Sequence, residues 1–189
     1  MGYGLMVYSV DIDKLADLYG SGDDKTRKII CGRFRNDIAD CNDQLGYSNE
    51  KGQESIFEAI RHLIMGDEKT LSGTLYGYGL EFIVRHFGKF LDNSLFCPCS
   101  FQYITDDISA QLSATGTIVE IDDLLYHNAP FELPTPDDFP MYGHWKASSV
   151  AQSVETLQKY PDKSPEIEAI FDWLKTASSN KEGIIAYYY

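Results

Sequence analysis

The two ends of the chain are rich in β-forming residues, whereas most of the sequence between them shows helical periodicity. Residues 3–10 place apolar side chains on both sides of the chain, with Tyr3, Leu5 and Val7 on one side. This pattern is typical of a strand that is buried on both faces. Residues 184–189 form a second β-prone stretch, and 117–121 predicts a third short strand. The sequence therefore favours a small sheet in which the first and last strands are candidates to pair.

Amphipathic helices are predicted for much of the remaining chain. Apolar residues recur three or four positions apart, the spacing that places them on one face of a helix. The clearest of these helices are predicted at 54–65, 75–91, 147–159 and 165–177. Shorter ones are predicted after Asp11, after Asp24 and after Thr105. The predicted fold class is α+β, with about six helices packed around the small sheet.

Residues 128–145 fit neither type of regular element. Pro130, Pro134, Pro136 and Pro140 fall within eleven residues. Proline has no backbone N–H, so this density excludes a regular helix and a central strand. We predict an extended, proline-rich acidic arm here, carried by a single domain that covers residues 1–189.

The charge of the chain excludes some classes of partner. Twenty-nine acidic residues and 16 Lys plus Arg give a formal net charge of −13. A protein this acidic repels phosphate backbones and anionic lipid surfaces. We therefore expect that the chain binds neither nucleic acid nor membrane.

A cytoplasmic location is predicted from two absences in the sequence. The N-terminal apolar run stops at Asp11 without a preceding basic region, and no stretch approaches the length of a membrane span. The four cysteines (Cys31, Cys41, Cys97 and Cys99) are expected to be free thiols in a reducing compartment.

The negative charge is concentrated in one part of the sequence. Residues 90–145, which we call the acidic segment, contain no Lys or Arg. Its nine acidic residues are Asp92, Asp106, Asp107, Glu120, Asp122, Asp123, Glu132, Asp137 and Asp138. Protein surfaces usually mix both signs, because like charges repel one another.

Two interpretations of the acidic segment stay open. One is an electrostatic surface for a basic partner protein; the other is that these aspartates only begin helices or lie in loops, where Asp is favoured anyway. On the first interpretation, the partner-binding residues are Asp106, Asp107, Asp122, Asp123, Asp137 and Asp138, with Tyr126, Phe139, Tyr142 and Trp145 as aromatic anchors.

No catalytic residue, metal site or cofactor site is predicted. Cys97 and Cys99 have one residue between them, too few for the usual zinc spacing. There is no Gly-x-Ser-x-Gly motif. An alternative interpretation uses His127 and His144, which flank the arm. Either would act as a general acid or base, oriented by Asp122 or Asp138, in a site under the arm.

Four blocks of sequence resemble a group of uncharacterised bacterial proteins of this length. They are Gly2-Tyr-Gly-Leu-Met-Val-Tyr-Ser-Val-Asp11, Gly20-Ser-Gly-Asp23, Tyr76-Gly-Tyr-Gly-Leu-Glu-Phe82 and Leu133-Pro-Thr-Pro-Asp-Asp-Phe-Pro140. The N-terminal strand and helix, followed by Arg61-His-Leu-Ile-Met-Gly-Asp67, are also similar to the YfbM-like group. That second resemblance implies an α+β fold. Neither group supplies an activity.

These observations lead to three functional hypotheses. The first is a non-enzymatic bacterial interaction protein, specifically an immunity or antitoxin-type inhibitor whose acidic surface covers the basic face of a cognate toxin domain. The second is a small hydrolase or transferase that uses His127 or His144. The third is a housekeeping domain whose acidity serves only solubility. The oligomeric state is left open.

Overall fold

The strands at the two ends of the chain pair with each other in the computed structural model, which describes residues 3–126 and 129–189. Strand β1 (Leu5–Val10) runs antiparallel to β4 (Gly183–Tyr188), in register from Leu5 opposite Tyr188 to Val10 opposite Gly183. The pairing of the terminal strands is thus confirmed.

Two edge strands complete the antiparallel sheet within the described ranges. Strand β2 (Lys89–Phe90) pairs with β1, and β3 (Met141–Trp145) pairs with β4, giving the order β2-β1-β4-β3. All six residues of β4 are buried, as are five of the six in β1. The two central strands are therefore covered on both faces, as the alternation of apolar residues in 3–10 predicted.

The tertiary contacts divide the described residues into two units. The first unit is formed by Met1–Ile12, Gly88–Pro130 and Met141–Tyr189, and the second by Asp13–Phe87 and Phe131–Pro140. The single-domain assignment stays a prediction.

The first unit contains the sheet together with α6 (Ser109–Ala114), α7 (Ala147–Lys159) and α8 (Pro165–Asn180). A π-helical segment (Tyr103–Ile108) leads into α6, and a single 3₁₀ turn (Ile121–Leu124) follows it. Helices α7 and α8 pack on each other, and both contact β4. The α+β class is confirmed.

The second unit is helical. Its helices are α1 (Ile12–Leu18), α2 (Asp24–Arg33), α3 (Arg35–Leu45), α4 (Ile56–Met65) and α5 (Gly73–Phe87). Helices α4 and α5 form its most extensive packing, where Gly79 brings the α5 backbone close to Ala59 of α4.

Local capping explains where several helices begin and end. Ser164 accepts a hydrogen bond from the backbone N–H of Ile167, and Pro165 occupies the first position of α8. The serine hydroxyl satisfies one free backbone N–H in the first turn, and proline fits the first position because it has no N–H to satisfy. Both features were predicted from the sequence. Gly66 ends α4 in the left-handed conformation, with φ of 76°, which glycine adopts without a steric penalty.

Three predicted segments are corrected by the structure. The helix predicted after Asp24 is two helices, because Phe34 leaves helical geometry at φ −106° and ψ 22°. Its ring stays in the core beside Phe82, so the apolar spacing continues across the break. Residues 117–120 form a loop instead of a strand, and Ile121 begins the 3₁₀ turn. Val119 and Ile121 are nevertheless buried, which explains their apolar pattern.

The third correction concerns the end of the predicted arm. Residues 141–145 form β3, directly after Pro140. An edge strand tolerates a preceding proline, because one side of its backbone needs no partner strand. The part of the arm in the second unit is Phe131–Pro140, which we call the strap.

Candidate functional site

The carboxylates of the acidic segment are not neutralised by cations from elsewhere in the described chain. Among the described residues, ion pairs are formed by Asp24, Asp37, Glu58, Asp67 and Asp172, all outside residues 90–145. Within the residues that the structure describes, none of the nine carboxylates of the segment lies in such a pair.

Four aspartates of the segment come from two neighbouring elements of the first unit. Asp106 and Asp107 lie on the π-helical segment, and Asp122 and Asp123 lie on the 3₁₀ turn that contacts it. Asp106, Asp107 and Asp123 are exposed. We call these four residues, which lie on two contacting elements, the acidic cluster.

Asp122 is the least exposed carboxylate of the acidic cluster. Its Oδ1 atom is buried and has no hydrogen-bond partner among the described residues. Burial raises the pKa of this carboxyl, and the neighbouring charges of Asp123 and Asp106 raise it further. A carboxylate in this position is held at a cost in stability, because its charge is partly desolvated and faces like charges.

The predicted aromatic anchors are in very different environments. Tyr126 is 54% exposed, and Phe139 is half-buried on the strap. Tyr142 and Trp145 belong to β3, and their side chains are only 1% and 2% exposed. The Trp145 indole N–H donates to the carbonyl of Glu120 at 2.8 Å. These two residues are core side chains and do not provide a surface for a partner, which corrects that part of the prediction.

Asp137 and Asp138 lie next to each other on the strap and are exposed. The strap is held within the second unit by Phe131, which stacks on Tyr19 with ring centroids 4.3 Å apart. The Lys69 ammonium also donates to the carbonyl of Glu132 at 2.6 Å. The two aspartates therefore sit on an ordered, anchored segment of their own unit.

A cavity of about 150 Å³ lies at the junction of β3 and α7 in the first unit. Its lining residues are Ile118, Val119, Asp123, His144, Trp145, Lys146 and Ser149. His144 is only 6% exposed. The cavity is smaller than the several hundred Å³ of typical ligand pockets, and no residue of the strap lines it.

The alternative hypothesis is only partly addressed by this cavity. It contains His144 and a carboxylate, but the carboxylate is Asp123 instead of the expected Asp122 or Asp138. His127 lies outside the described residues. Sequence reasoning missed Lys146 and Ser149, which stand at the start of α7. No sequence signal pointed to them, because residues 141–145 were not predicted to form a strand.

The described residues contain neither a group that could hold a metal ion nor a helix that could span a membrane. No group of three or more His, Cys, Asp or Glu side chains among residues 3–126 and 129–189 is arranged to hold a metal ion. The four cysteines are free thiols. No helix in the described ranges combines the length and apolar character needed to cross a bilayer.

The chain belongs to the family DUF7691, described as a domain of unknown function, whose family model matches residues 1–189. This confirms the resemblance to an uncharacterised family. The likeness to the YfbM-like group stays a prediction. No curated protein and no solved structure matches the chain.

Proposed function

We propose that this protein is a non-enzymatic interaction protein of the bacterial cytoplasm, an immunity or antitoxin-type inhibitor. Its acidic cluster covers the basic face of a cognate toxin domain. One observation supports the proposal most: none of the nine carboxylates of the acidic segment forms an ion pair with a described residue.

Repulsion among the carboxylates of the acidic cluster supports a basic partner. The raised pKa of Asp122 indicates that the folded protein holds this charge against burial and against Asp123 and Asp106. A surface selected only for stability or solubility would intersperse lysine or arginine among these residues. A basic partner relieves the repulsion when it binds, and the field of the free cluster accelerates the encounter.

A protection assay tests the inhibitor function. The product of the reading frame immediately upstream in the native host is expressed alone and together with this protein. We expect growth arrest in the first case and growth in the second. The double variant Asp106→Lys/Asp107→Lys is expected to lose protection, because reversed charge repels a basic face.

The matched control reverses two exposed aspartates outside the segment, Asp17→Lys/Asp40→Lys. It is expected to protect like the unchanged protein, with a similar melting temperature. The proposal fails if the upstream product is harmless, or if the cluster variant protects as well as the control.

Association kinetics give a second readout on the same variants. Electrostatic steering raises association rates by about ten- to a thousandfold at low ionic strength. We therefore expect the association rate with the purified toxin domain to fall steeply with added salt. The cluster variant should show a slower association and a weaker dependence on salt.

A second candidate function is a small hydrolase or transferase, favoured by the cavity that His144 and Asp123 line with Lys146 and Ser149. A histidine beside a carboxylate and a hydroxyl is a combination used for general acid–base chemistry. Screening with small ester and phosphoester substrates tests it: activity that His144→Gln abolishes, and that Asp106→Asn leaves intact, supports this function over the inhibitor.

A further inference from the structure

The cavity at the junction of β3 and α7 is lined by residues of opposite charge. Asp123 and Lys146 contribute one negative and one positive charge, and Ser149 contributes a hydroxyl. Ile118 and Val119 contribute apolar side chains. Ligand pockets combine apolar walls with a few polar groups that fix the orientation of the ligand. This cavity has the same composition on a smaller scale.

The two charges at the cavity do not pair with each other. Within the described residues, neither Asp123 nor Lys146 takes part in an ion pair, although both line one cavity of about 150 Å³. Both residues are exposed, and Ser149 is half-buried. The two charged groups are therefore accessible to a ligand that enters from solvent.

One wall of the cavity is part of the sheet. His144 and Trp145 belong to β3 and pair with Ile185 and Ile184 of β4. Their side chains are only 6% and 2% exposed. The Trp145 indole N–H is also held by the carbonyl of Glu120. A wall that is already ordered adds little to the entropic cost of binding.

The volume and charge of the cavity restrict its ligand. A cavity of about 150 Å³ encloses a molecule of the size of benzene, with about six non-hydrogen atoms. The formal charges of Asp123 and Lys146 cancel, so a ligand with a single charge pairs with one of them and leaves the other without a partner. A small molecule that carries both charges pairs with both.

We propose that this cavity binds a small zwitterion, namely a free amino acid of about six non-hydrogen atoms such as alanine. Its carboxylate pairs with Lys146 and accepts the hydroxyl proton of Ser149. Its ammonium pairs with Asp123, and its short side chain packs on Val119. This inference goes beyond the inhibitor function, because it concerns a small-molecule ligand and requires neither a protein partner nor catalysis.

An NMR titration of the isotope-labelled full chain tests the proposal with three probes. L-alanine carries both charges, propionate lacks the ammonium, and ethylammonium lacks the carboxylate. We expect L-alanine to cause saturable shifts at Ile118, Val119 and Ser149. Each of the other two probes should bind about tenfold more weakly, because each gives up one charge-assisted hydrogen bond.

Matched variants locate the bound ligand. Lys146→Met and Asp123→Asn should each weaken L-alanine binding about tenfold, and Ser149→Ala should weaken it less, because the hydroxyl is uncharged. Lys159→Met, at the other end of α7, is the control for the lysine. Ser148→Ala is the control for the serine, because Ser148 is adjacent to Ser149 and is not among the lining residues. Both controls should bind like the unchanged protein.

The proposal has clear contrary outcomes. Propionate or ethylammonium binding as tightly as L-alanine overturns the zwitterion. The site is overturned if L-alanine causes no saturable shift at millimolar concentration, or if Lys146→Met binds as well as Lys159→Met. The inhibitor function is measured by growth protection and this inference by titration of the isolated protein, so the failure of either is recognised without the other.

Discussion

Gly143 lies where the edge strand β3 passes against the backbone of the 3₁₀ turn. It is buried and pairs with Ala186 of β4. A Cβ atom at this position would overlap the carbonyl oxygen of Asp123 and crowd Leu124. The close approach brings the turn that carries Asp122 and Asp123 onto the sheet, so a single glycine positions half of the acidic cluster.

We therefore predict that Gly143→Ala lowers the free energy of unfolding by about 1–3 kcal/mol, the usual cost of overpacking. Urea denaturation measures it. Gly32→Ala in α2 is the control, because a Cβ there meets nothing within 4 Å; alanine in a helix should be neutral or slightly stabilising. An unchanged unfolding midpoint for Gly143→Ala would contradict the packing argument.

His62 is a buried histidine that shares a hydrogen bond with a buried tyrosine. Its Nδ1 lies 2.9 Å from the Tyr76 hydroxyl, which also accepts the N–H of Leu71 at 3.3 Å. The tautomer of His62 decides whether the hydroxyl donates to Nδ1 or accepts from it, since a hydroxyl has one proton and two lone pairs. Burial lowers the pKa of His62, and the charge of Arg61 lowers it further.

This predicts a loss of stability as the pH falls from 7 to 5. The unfolded chain takes up a proton near pH 6.5, whereas folded His62 takes it up only at lower pH, so acid favours the unfolded state. His86 has a lowered pKa, through burial and then Arg33 and Lys14, and contributes with the same sign. Urea midpoints at both pH values measure the loss.

In His62→Gln the amide oxygen still accepts the Tyr76 hydroxyl, but no proton is taken up. The difference between the two midpoints should shrink and not vanish, because His86 remains. A midpoint difference as large as in the unchanged protein would show that His62 does not titrate differently on unfolding.

At the scale of elements, the strap depends on contacts from distant parts of the second unit. Lys69 lies 5.5 Å above the Tyr19 ring that stacks on Phe131. A Cβ at Gly73 would overlap the backbone of Thr135 and Pro136. Ring stacking, a cation and a close backbone contact together anchor a segment that has no regular hydrogen bonding of its own.

We predict that Lys69→Ala speeds hydrogen exchange in residues 131–136, because it removes both the hydrogen bond to Glu132 and the cation above Tyr19. Lys51→Ala, at an exposed lysine in a loop, is the control and should leave the strap unchanged. Unaltered exchange in Lys69→Ala would mean that the Phe131 stack and Gly73 hold the strap without it.

The elements differ in how far the sequence predicted them. Helix α7 has the predicted bounds, and α8 begins at the predicted proline, because local caps and apolar spacing define both. Two predictions were wrong: residues 117–120 form a loop where a strand was predicted, and residues 141–145 form a strand where an extended arm was predicted. In both segments the decisive contact is distant in sequence: Glu120 with the Trp145 indole, and β3 with β4.

At the scale of the whole molecule, β4 is the strand on which the sheet depends. It pairs with β1 on one side and β3 on the other, and Ile184, Ile185 and Tyr187 are fully buried. We predict that a chain ending at residue 182 loses the ordered sheet, seen as loss of dispersed amide resonances of β1 and β3. A β1 that stays protected from exchange would contradict this.

The sequence by itself determined the α+β class, the β-prone character of its two ends, most helix positions and the segment that has no basic residue. These follow from local periodicity, capping and composition. Tertiary structure alone decided that the π-helical segment of Asp106 contacts the 3₁₀ turn of Asp122, that the two end strands pair, and that Tyr142 and Trp145 are buried. Such contacts join residues far apart in sequence, and no local pattern records which distant backbone or ring a side chain will meet.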